Sequence, residues 1–290
     1  MRKGIILAGG TGTRLRPATT SISKQLLPVY DKPMIYYPLA TLMSLSIREI
    51  LIISSIQDIS LYQTLLKDGK QWGLKLEYCI QKQPEGIAQA FLLAKDFIGD
   101  HLNVLILGDN IFYGGNLKDK LKKADQKKEG ATIFAYKVQK PNQYGVIEFE
   151  KEKISKIVEK PKITKSNLAI TGVYFFDKKV SSYSRTLKKS DRGEYEITDL
   201  INKYLMNNKL DVEIFNDGVT WLDAGTHDTL LEASQFVSTI EKRQGTKIAC
   251  LEEIAYRQGW IDKKQIIKIA KQMSNSSYGK YLNILLDDIS

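Results

Sequence analysis

The sequence predicts an α/β protein built on a mostly parallel sheet with helices on both faces, and two observations carry that reading. Through the first third of the chain, short and wholly apolar runs alternate with segments of helical periodicity, the pattern of parallel strands buried on both sides. The first run, residues 4–7, then opens directly into Ala8-Gly9-Gly10-Thr11-Gly12. A turn with almost no side chains at the carboxyl end of a strand is where an open α/β sheet brings its backbone against a ligand.

The elements follow in order. Residues 33–43 carry apolar side chains at three- and four-residue intervals and read as a helix with Pro33 and Pro38 in its first turns. Residues 49–54 read as strand, 59–67 as helix, 74–78 as strand and 86–98 as a third helix. The apolar run 104–107 is the strand that ends at Gly108-Asp109. From Ala131 the pattern shortens to alternating segments at 131–136, 146–149, 154–158 and 168–176, expected to extend or flank the first sheet. Helices follow near 196–206 and 226–240, and the tail is helical in pattern over 251–256, 262–273 and 278–286. No repeat, low-complexity tract or Pro-rich linker divides the chain. We therefore expect one α/β core over residues 1–240 with inserted β segments, and a helical C-terminal region, 241–290, that serves as a subunit-contact or regulatory surface or packs on the core, without being an independent domain.

With 290 residues the chain can bury a large core. Its formal net charge of +10 admits nucleic acid or an anionic small molecule as partner, and charge alone does not choose. Much of the excess lies in lysines of the 118–128 stretch, read as a solvated helix face, and no helix-turn-helix, finger or RNP-like pattern accompanies them. Cys79 and Cys250 are too few and too far apart for a disulfide scaffold or zinc site. Met1-Arg2-Lys3 before residues 4–8 is too short an imitation of a secretory leader, and no apolar stretch reaches the roughly 18 residues that span a bilayer. The expectation is a cytoplasmic protein without nucleic-acid or membrane partners.

The chemistry concentrates after the first strand. Small residues let amide N–H groups crowd round an anion, Thr11 and Thr13 add hydroxyls, and Arg14 and Lys24 add positive charge, a combination suited to a polyphosphate. It is neither a Walker A loop, since Gly12 is followed by Thr13-Arg14, nor a dinucleotide fingerprint, since Leu15 stands where the third glycine is needed. Asp109, after an apolar strand and Gly108, and Asp223, in Trp221-Leu222-Asp223-Ala224-Gly225, would each project at the ligand edge or cap a following helix. Two such carboxylates facing one phosphate loop would bind magnesium, a hard cation that takes oxygen ligands. His101 and His227 fall outside these motifs, and no K-x-D-G string is present, so no side chain stands out as a nucleophile for a double displacement.

The ordered run of glycines, Arg14, Arg16-Pro17 and Lys24-Gln25-Leu26-Leu27-Pro28 resembles the signature of the sugar-1-phosphate nucleotidylyltransferases. The wording of residues 23–34 is similar to their thymidylyltransferase branch, and the resemblance extends over essentially the whole chain, including the tail stretch 248–255. It implies a Rossmann-like, mostly parallel mixed sheet of the nucleotide-diphospho-sugar transferase type. It also implies the reaction of dTTP with alpha-D-glucose 1-phosphate, Mg2+ as cofactor, a homotetramer, service to dTDP-rhamnose synthesis and feedback at a second nucleotide site.

Residue by residue, the resemblance assigns the nucleotide to Leu7, Gly9, Gly10, Thr11, Gly12, Thr13, Arg14, Lys24, Gln25, Gln81 and Gly86. It assigns the sugar phosphate to Asp109, Tyr144, Gly145, Glu159, Lys160, Val173, Tyr174 and Arg192. The metal falls to Asp109 and Asp223, and catalysis to Arg14, Lys24, Lys160 and Asp109. Lys82, Gln83 and Glu85 depart from the family's usual P-S-P-D-G wording, which leaves thymidine and uridine both open. Open beside the transferase are a silent nucleotide-sugar sensor and a nucleic-acid-binding protein.

Overall fold

A computed structural model describes residues 2–10, 12–151, 153–215 and 218–288. The chain enters through β1 (Arg2–Leu7), the Gly-rich turn and two 3-10 turns, Thr13–Leu15 and Lys24–Leu26. A hairpin of two-residue strands, β2 (Pro28–Val29) and β3 (Lys32–Pro33), leads into α1 (Tyr36–Ser44). Next come β4 (Glu49–Ser55), α2 (Ile59–Leu66) and β5 (Lys75–Gln81), then the short helices α3 (Gln89–Leu93) and α4 (Lys95–Ile98). β6 (Leu102–Leu107) and β7 (Asn110–Gly114) are followed by α5 (Leu117–Asp125), β8 (Ala131–Lys137), β9 (Gly145–Glu150), β10 (Lys153–Glu159) and β11 (Leu168–Phe176). Then α6 (Val180–Arg185), α7 (Ile197–Met206), β12 (Leu210–Ile214) and β13 (Val219–Asp223) precede α8 (His227–Gln244), α9 (Leu251–Arg257), α10 (Lys263–Gln272) and α11 (Ser277–Asp288).

Why the strands are apolar throughout is visible in how they divide their side chains. Successive residues of a strand point to opposite faces. Ile6, Ile50, Ile52, Val104 and Ile106 enter one core with Leu39, Leu42 and Met43 of α1. Their neighbours Ile5, Leu51, Ile53 and Leu105 enter the other, with Phe91 of α3 and Leu200 and Tyr204 of α7. Each such side chain removed from water contributes about 1.5–3 kcal/mol, so both faces of the sheet hold their helices hydrophobically. The sheet is mixed. β5, β4, β1 and β6 run parallel, β11 lies antiparallel on β6, and β9–β10 and β8–β12 extend it beyond.

Three differences from the sequence expectation have local causes. Pro33 lies in the β2–β3 hairpin, and α1 starts at Tyr36 with only Pro38 in its first turn, where a missing N–H costs nothing. The expected helix over 86–98 is two short helices preceded by a non-helical segment. Gly86 has φ +97, a Cβ there would lie 2.5 Å from the Tyr195 carbonyl oxygen, and Tyr195 N–H donates to the Glu85 carbonyl at 2.7 Å. β7, β12 and β13 are additional strands; among the described residues β7 and β13 pair only with each other. The lysine-rich stretch enters α5, whose Leu121 and Ala124 are buried while the lysines face out. Arg2 is a buried brace, donating to Asp125 Oδ1 at 2.7 Å and to the Asn103 carbonyl at 2.8 Å.

From β1 the chain moves to β4 on one side and later returns to β6 on the other, so the ends of β1 and β6 lie side by side at a topological switch point. Leu7 pairs with Leu107, and Gly108 N–H donates to the Leu7 carbonyl at 2.9 Å. The Gly-rich turn and Gly108-Asp109 therefore leave the sheet together. No helix among the described residues is long and apolar enough to cross a membrane.

The hairpin beside the signature turn is tied to the C-terminal part by a buried ion lattice. Lys32 Nζ lies 2.5 Å from Asp31 and 2.9 Å from Glu241 of α8, and Lys247 pairs with the same two carboxylates. Removing Glu241 leaves two buried ammonium groups with one counterion. Glu241→Ala is expected to destabilise the fold by about 3–5 kcal/mol, the cost of breaking a buried pair, read as a lowered urea midpoint.

Candidate active site

Strand pairing assembles the two carboxylates. β13 runs antiparallel to β7 with Asp223 opposite Asn110, and Ala224 N–H donates to the Asp109 carbonyl at 3.3 Å, which puts Asp223 beside Asp109 at the switch point. Neither acid caps a helix. Asp109 is followed by strand β7, and α8 after β13 is capped by Thr226, whose Oγ1 accepts from Thr229 N–H at 3.2 Å.

Asn110 is the pin beneath the pair. It is 3 % exposed, donates to Asp109 Oδ1 at 2.8 Å, and accepts from Trp221 Nε1 at 2.6 Å and from Gly172 N–H at 3.0 Å. One side chain thus joins β7, β13 and β11. A Cβ on Gly172 would fall 2.4 Å from Asn110 Oδ1, so residue 172 must be glycine for the pin to reach. The run of Leu107 to Asn110 was the only sequence signal for it, and it points to the aspartate rather than to the asparagine.

Lys24, in the second 3-10 turn, places Nζ 2.5 Å from Asp109 Oδ2. Burial pushes the Asp109 carboxyl up, but the Lys24 charge, with hydrogen bonds from Lys24 and Asn110, holds it below the usual aspartate range. Asp223 moves the other way. Burial pushes its carboxyl up, and the charge on Asp109 pushes it further, against Lys24 and Arg14. Arg14 reaches this corner from the first 3-10 turn, its guanidinium 3.1 Å from where a Cβ on Gly225 would sit. All the donors facing the corner from Asp109 and Asp223 are carboxylate oxygens, a hard set that suits a divalent cation whose remaining ligands are waters and phosphate oxygens.

Two clefts flank the Gly-rich turn. One, of about 450 Å³, is lined by Gly10, Arg16, Ser23, Lys24, Gln81 and Pro84 among others. The other, of about 530 Å³, is lined by Thr13, Arg14, Asp109, Tyr144, Gly145, Glu159, Lys160, Tyr174 and Asp223. Gln81, at the end of β5, covers Gly9 closely: a Cβ at Gly9 would meet Gln81 Oε1 at 2.0 Å. Gln25 packs against Gly108, and its Oε1 accepts from Ser23 Oγ at 2.8 Å and Tyr62 OH at 3.3 Å, so it holds the turn in place. Leu7 ends β1 and Gly12 is left-handed, while Thr11 lies outside the described residues.

In the larger cleft, burial pushes the Glu159 carboxyl up, with Lys160 and Arg192 pulling it back and Glu196 adding to the rise. Burial and neighbouring Asp223 push the Tyr144 hydroxyl up to about 12. Gly145 leaves room for Glu159 and Thr198, whose atoms lie 3.3 and 2.8 Å from where its Cβ would be. Lys160 has φ +40, a left-handed conformation uncommon for a long side chain and paired here with its position in the cleft. Val173 differs from its expected neighbours: its side chain is buried in the core. Arg192 stands at the side, sharing its charge among Glu194 at 2.9 Å, Glu159 at 3.5 Å and Glu196 at 3.6 Å. Sequence reasoning missed Asn110, Thr198, Gln89 and the Glu194–Glu196 pair, because each acts through a neighbour brought close only by folding.

A family model described as nucleotidyl transferase matches residues 3–240. The chain is 53% identical over 285 residues to a glucose-1-phosphate thymidylyltransferase of Xanthomonas campestris, covering 98% of this chain and 97% of that one. It is 51% identical over 286 residues to a protein of the same description from Mycobacterium tuberculosis, covering 98% and 99%. Among solved structures, one from Bacillus anthracis described as a glucose-1-phosphate thymidylyltransferase with sucrose bound superposes with a TM-score of 0.76 at 42% identity, covering 81% of this chain and 95% of that one. A UDP-glucose pyrophosphorylase complexed with UDP-glucose superposes with a TM-score of 0.72 at 26% identity, covering 84% and 100%.

The raised Asp223 carboxyl has a consequence for stability. Between the ordinary aspartate value near about 3.9 and its own raised one, the folded state binds more protons than the unfolded state, so stability falls as pH rises through that window. Above that window the charge on Asp223 opposes folding. Asp223→Asn is therefore expected to raise the Tm of the metal-free protein at pH 7 and to flatten its pH slope, while cancelling the further rise that a divalent cation gives the unmutated protein; calorimetry across pH 4–7 reads all three.

Proposed function

Because the chain belongs to the nucleotidyl transferase family, we propose that it joins dTTP and alpha-D-glucose 1-phosphate to give dTDP-glucose and pyrophosphate. What carries this reading is the junction of two clefts at Lys24, Asp109 and Asp223, one on each side of a glycine turn. A nucleotide base fits the smaller cleft against Gln81, Gly86 and the turn, and the hexose fits the larger one against Gly145, Glu159 and the backbone of Val173. The phosphates between them then lie over Gly9, Gly10, Gly12 and Thr13.

The chemistry is a direct in-line displacement. An oxygen of the sugar phosphate, already ionised near neutral pH, forms a bond to the alpha phosphorus as the bond from that phosphorus to the bridging oxygen breaks, and pyrophosphate leaves with the electron pair. No protein nucleophile and no proton transfer is needed. Lys24 and Arg14 neutralise charge on the triphosphate, Lys160 holds the attacking phosphate in line, and Glu159 accepts from hexose hydroxyls that the folded cleft would otherwise leave unpaired. Tyr144, Tyr174 and Arg192 shape and brace the hexose cleft. Asp109 and Asp223 would hold Mg2+, which when bound supplies charge neutralisation at the phosphates.

On the same reading the protein works in the cytoplasm as a homotetramer, residues 241–290 supplying subunit contacts, and its product feeds deoxysugar synthesis such as that of dTDP-rhamnose.

The reading is tested by pyrophosphate release measured for each pairing of dTTP, UTP, dCTP or dATP with glucose, galactose or glucosamine 1-phosphate. The pair dTTP and glucose 1-phosphate is expected to give the highest kcat/KM. Dominance of UTP would make the protein a uridylyltransferase, and no release from any pair would leave a nucleotide-sugar sensor. Lys24→Ala is expected to lower kcat by about 10²–10³-fold, the scale for one contact made in the transition state. A raised KM at unchanged kcat would instead assign Lys24 to ground-state binding.

A further inference from the structure

A chain of amides runs from the smaller cleft, at Gln81, to Gln89 behind it, and its orientation can be deduced from groups that cannot be reversed. A glutamine presents an acceptor on one side and a donor on the other, and its two ends are interchangeable unless neighbours fix them. Gln89, at the start of α3, is fixed twice. Its Oε1 accepts from the backbone N–H of Glu85 at 3.0 Å, and a backbone N–H can only donate. Its Nε2 donates to the Glu85 carboxylate at 3.0 Å, and an ionised carboxylate can only accept. The other oxygen of Glu85 is held by Lys189, which keeps that carboxylate in place.

Gln81 inherits its orientation from Gln89. Its amide approaches Gln89 Oε1 at 2.7 Å, so the atom facing Gln89 must be the nitrogen. The Gln81 oxygen is then the end turned toward the glycine turn, where it lies 2.0 Å from the place a Cβ of Gly9 would occupy. Gln81 is 4 % exposed, so reversing it would set its oxygen against Gln89 Oε1 and lose the buried hydrogen bond between the two amides.

We infer that Gln89 is a positioning residue that locks the Gln81 amide with its oxygen toward the cleft, so that the site selects a pyrimidine carrying a ring N–H at that edge and rejects one carrying a bare ring nitrogen. Thymine and uracil present N3–H, which the oxygen accepts; cytosine presents an N3 lone pair, which the oxygen repels. The inference rests on the nucleotidyl transfer reading and adds the residue that sets base choice within it. Gln89 itself lies behind Gln81 and lines neither cleft.

The test compares kcat/KM for dTTP and dCTP, with glucose 1-phosphate, in the unmutated enzyme, Gln89→Ala and Gln89→Glu, with Tm recorded for each. The unmutated enzyme is expected to prefer dTTP strongly. In Gln89→Ala the Gln81 amide can turn, and the dTTP-to-dCTP ratio is expected to fall by roughly tenfold or more, with KM for dTTP rising and kcat nearly unchanged, because the lost order acts on binding far from the phosphates. Gln89→Glu keeps an acceptor facing Gln81 but sets its second oxygen against the Glu85 carboxylate, so it is expected to keep most of the preference only when combined with Glu85→Gln, whose amide can donate to it. N3-methyl-dTTP, which lacks the N–H, is expected to be rejected by the unmutated enzyme, a measurement that needs no variant. A folded Gln89→Ala enzyme with an unchanged ratio, or ready use of N3-methyl-dTTP, would overturn the inference while the transferase reading stands. An unmutated enzyme inert toward dTTP and glucose 1-phosphate would instead remove the reading beneath it.

Discussion

The antiparallel ladder between Asn110–Gly114 and Val219–Asp223 is the constraint on which the rest of the site depends. It joins two segments remote in sequence, and its register decides which residue stands beside Asp109. A slip of one residue would turn Asp223 to the opposite face and replace it with Leu222 or Ala224. The ladder has only five pairs, too few to fix its own register. Asn110 supplies the missing specificity, because its side chain pairs with Trp221 from β13 and Gly172 from β11 at once. An error of register would leave buried polar groups unpaired, at about 1–3 kcal/mol each.

That geometry explains an electrostatic arrangement that would be a poor choice for stability alone. Two carboxylates are held together, one kept ionised by Lys24 and the other pushed toward neutrality by its partner's charge. Arg14 and Lys160 stand nearby without closing an ion pair on either acid. Such a corner has unspent attraction for a cation from its acids and for phosphate from its bases, and the fold has already ordered all of them. Charge complementarity built before the substrate arrives costs no reorganisation during the reaction. The second carboxylate is thus retained against its cost to folding, as strained or repulsive groups are at functional sites.

The first strand, the glycine turn and the strand before Asp109 were legible because apolar runs and glycines express local rules. Arg14, Lys24 and Asp109 stood out as candidates because they sit in or beside those elements, whereas Gln81 and Glu159, at the ends of β5 and β10, were named only through the family resemblance. The pairing of β7 with β13 was not, since five-residue strands with mixed burial carry no periodicity that separates them from loops. The division of 86–98 into two helices was hidden for a related reason: Glu85 and Ala88, on either side of Gly86 with its φ of +97, hydrogen-bond to Tyr195, a residue of another segment. Val173 illustrates the reverse limit. Its neighbours in the chain face the cleft, but strand alternation sends its side chain to the core. Gln89 could be read from sequence only as a helix residue, and its role follows from the two fixed groups of Glu85.

The most direct measurement is a double-mutant cycle on divalent-cation affinity in the presence of dTTP, using Mn2+ binding by paramagnetic resonance for the unmutated protein, Asp109→Asn, Asp223→Asn and the double variant. If one cation is shared by both carboxylates, each single change weakens binding nearly as much as the double one, and the cycle shows strong coupling. Independent, additive losses, or undiminished affinity after either change, would contradict a common site and with it the account of how this fold holds a triphosphate for attack.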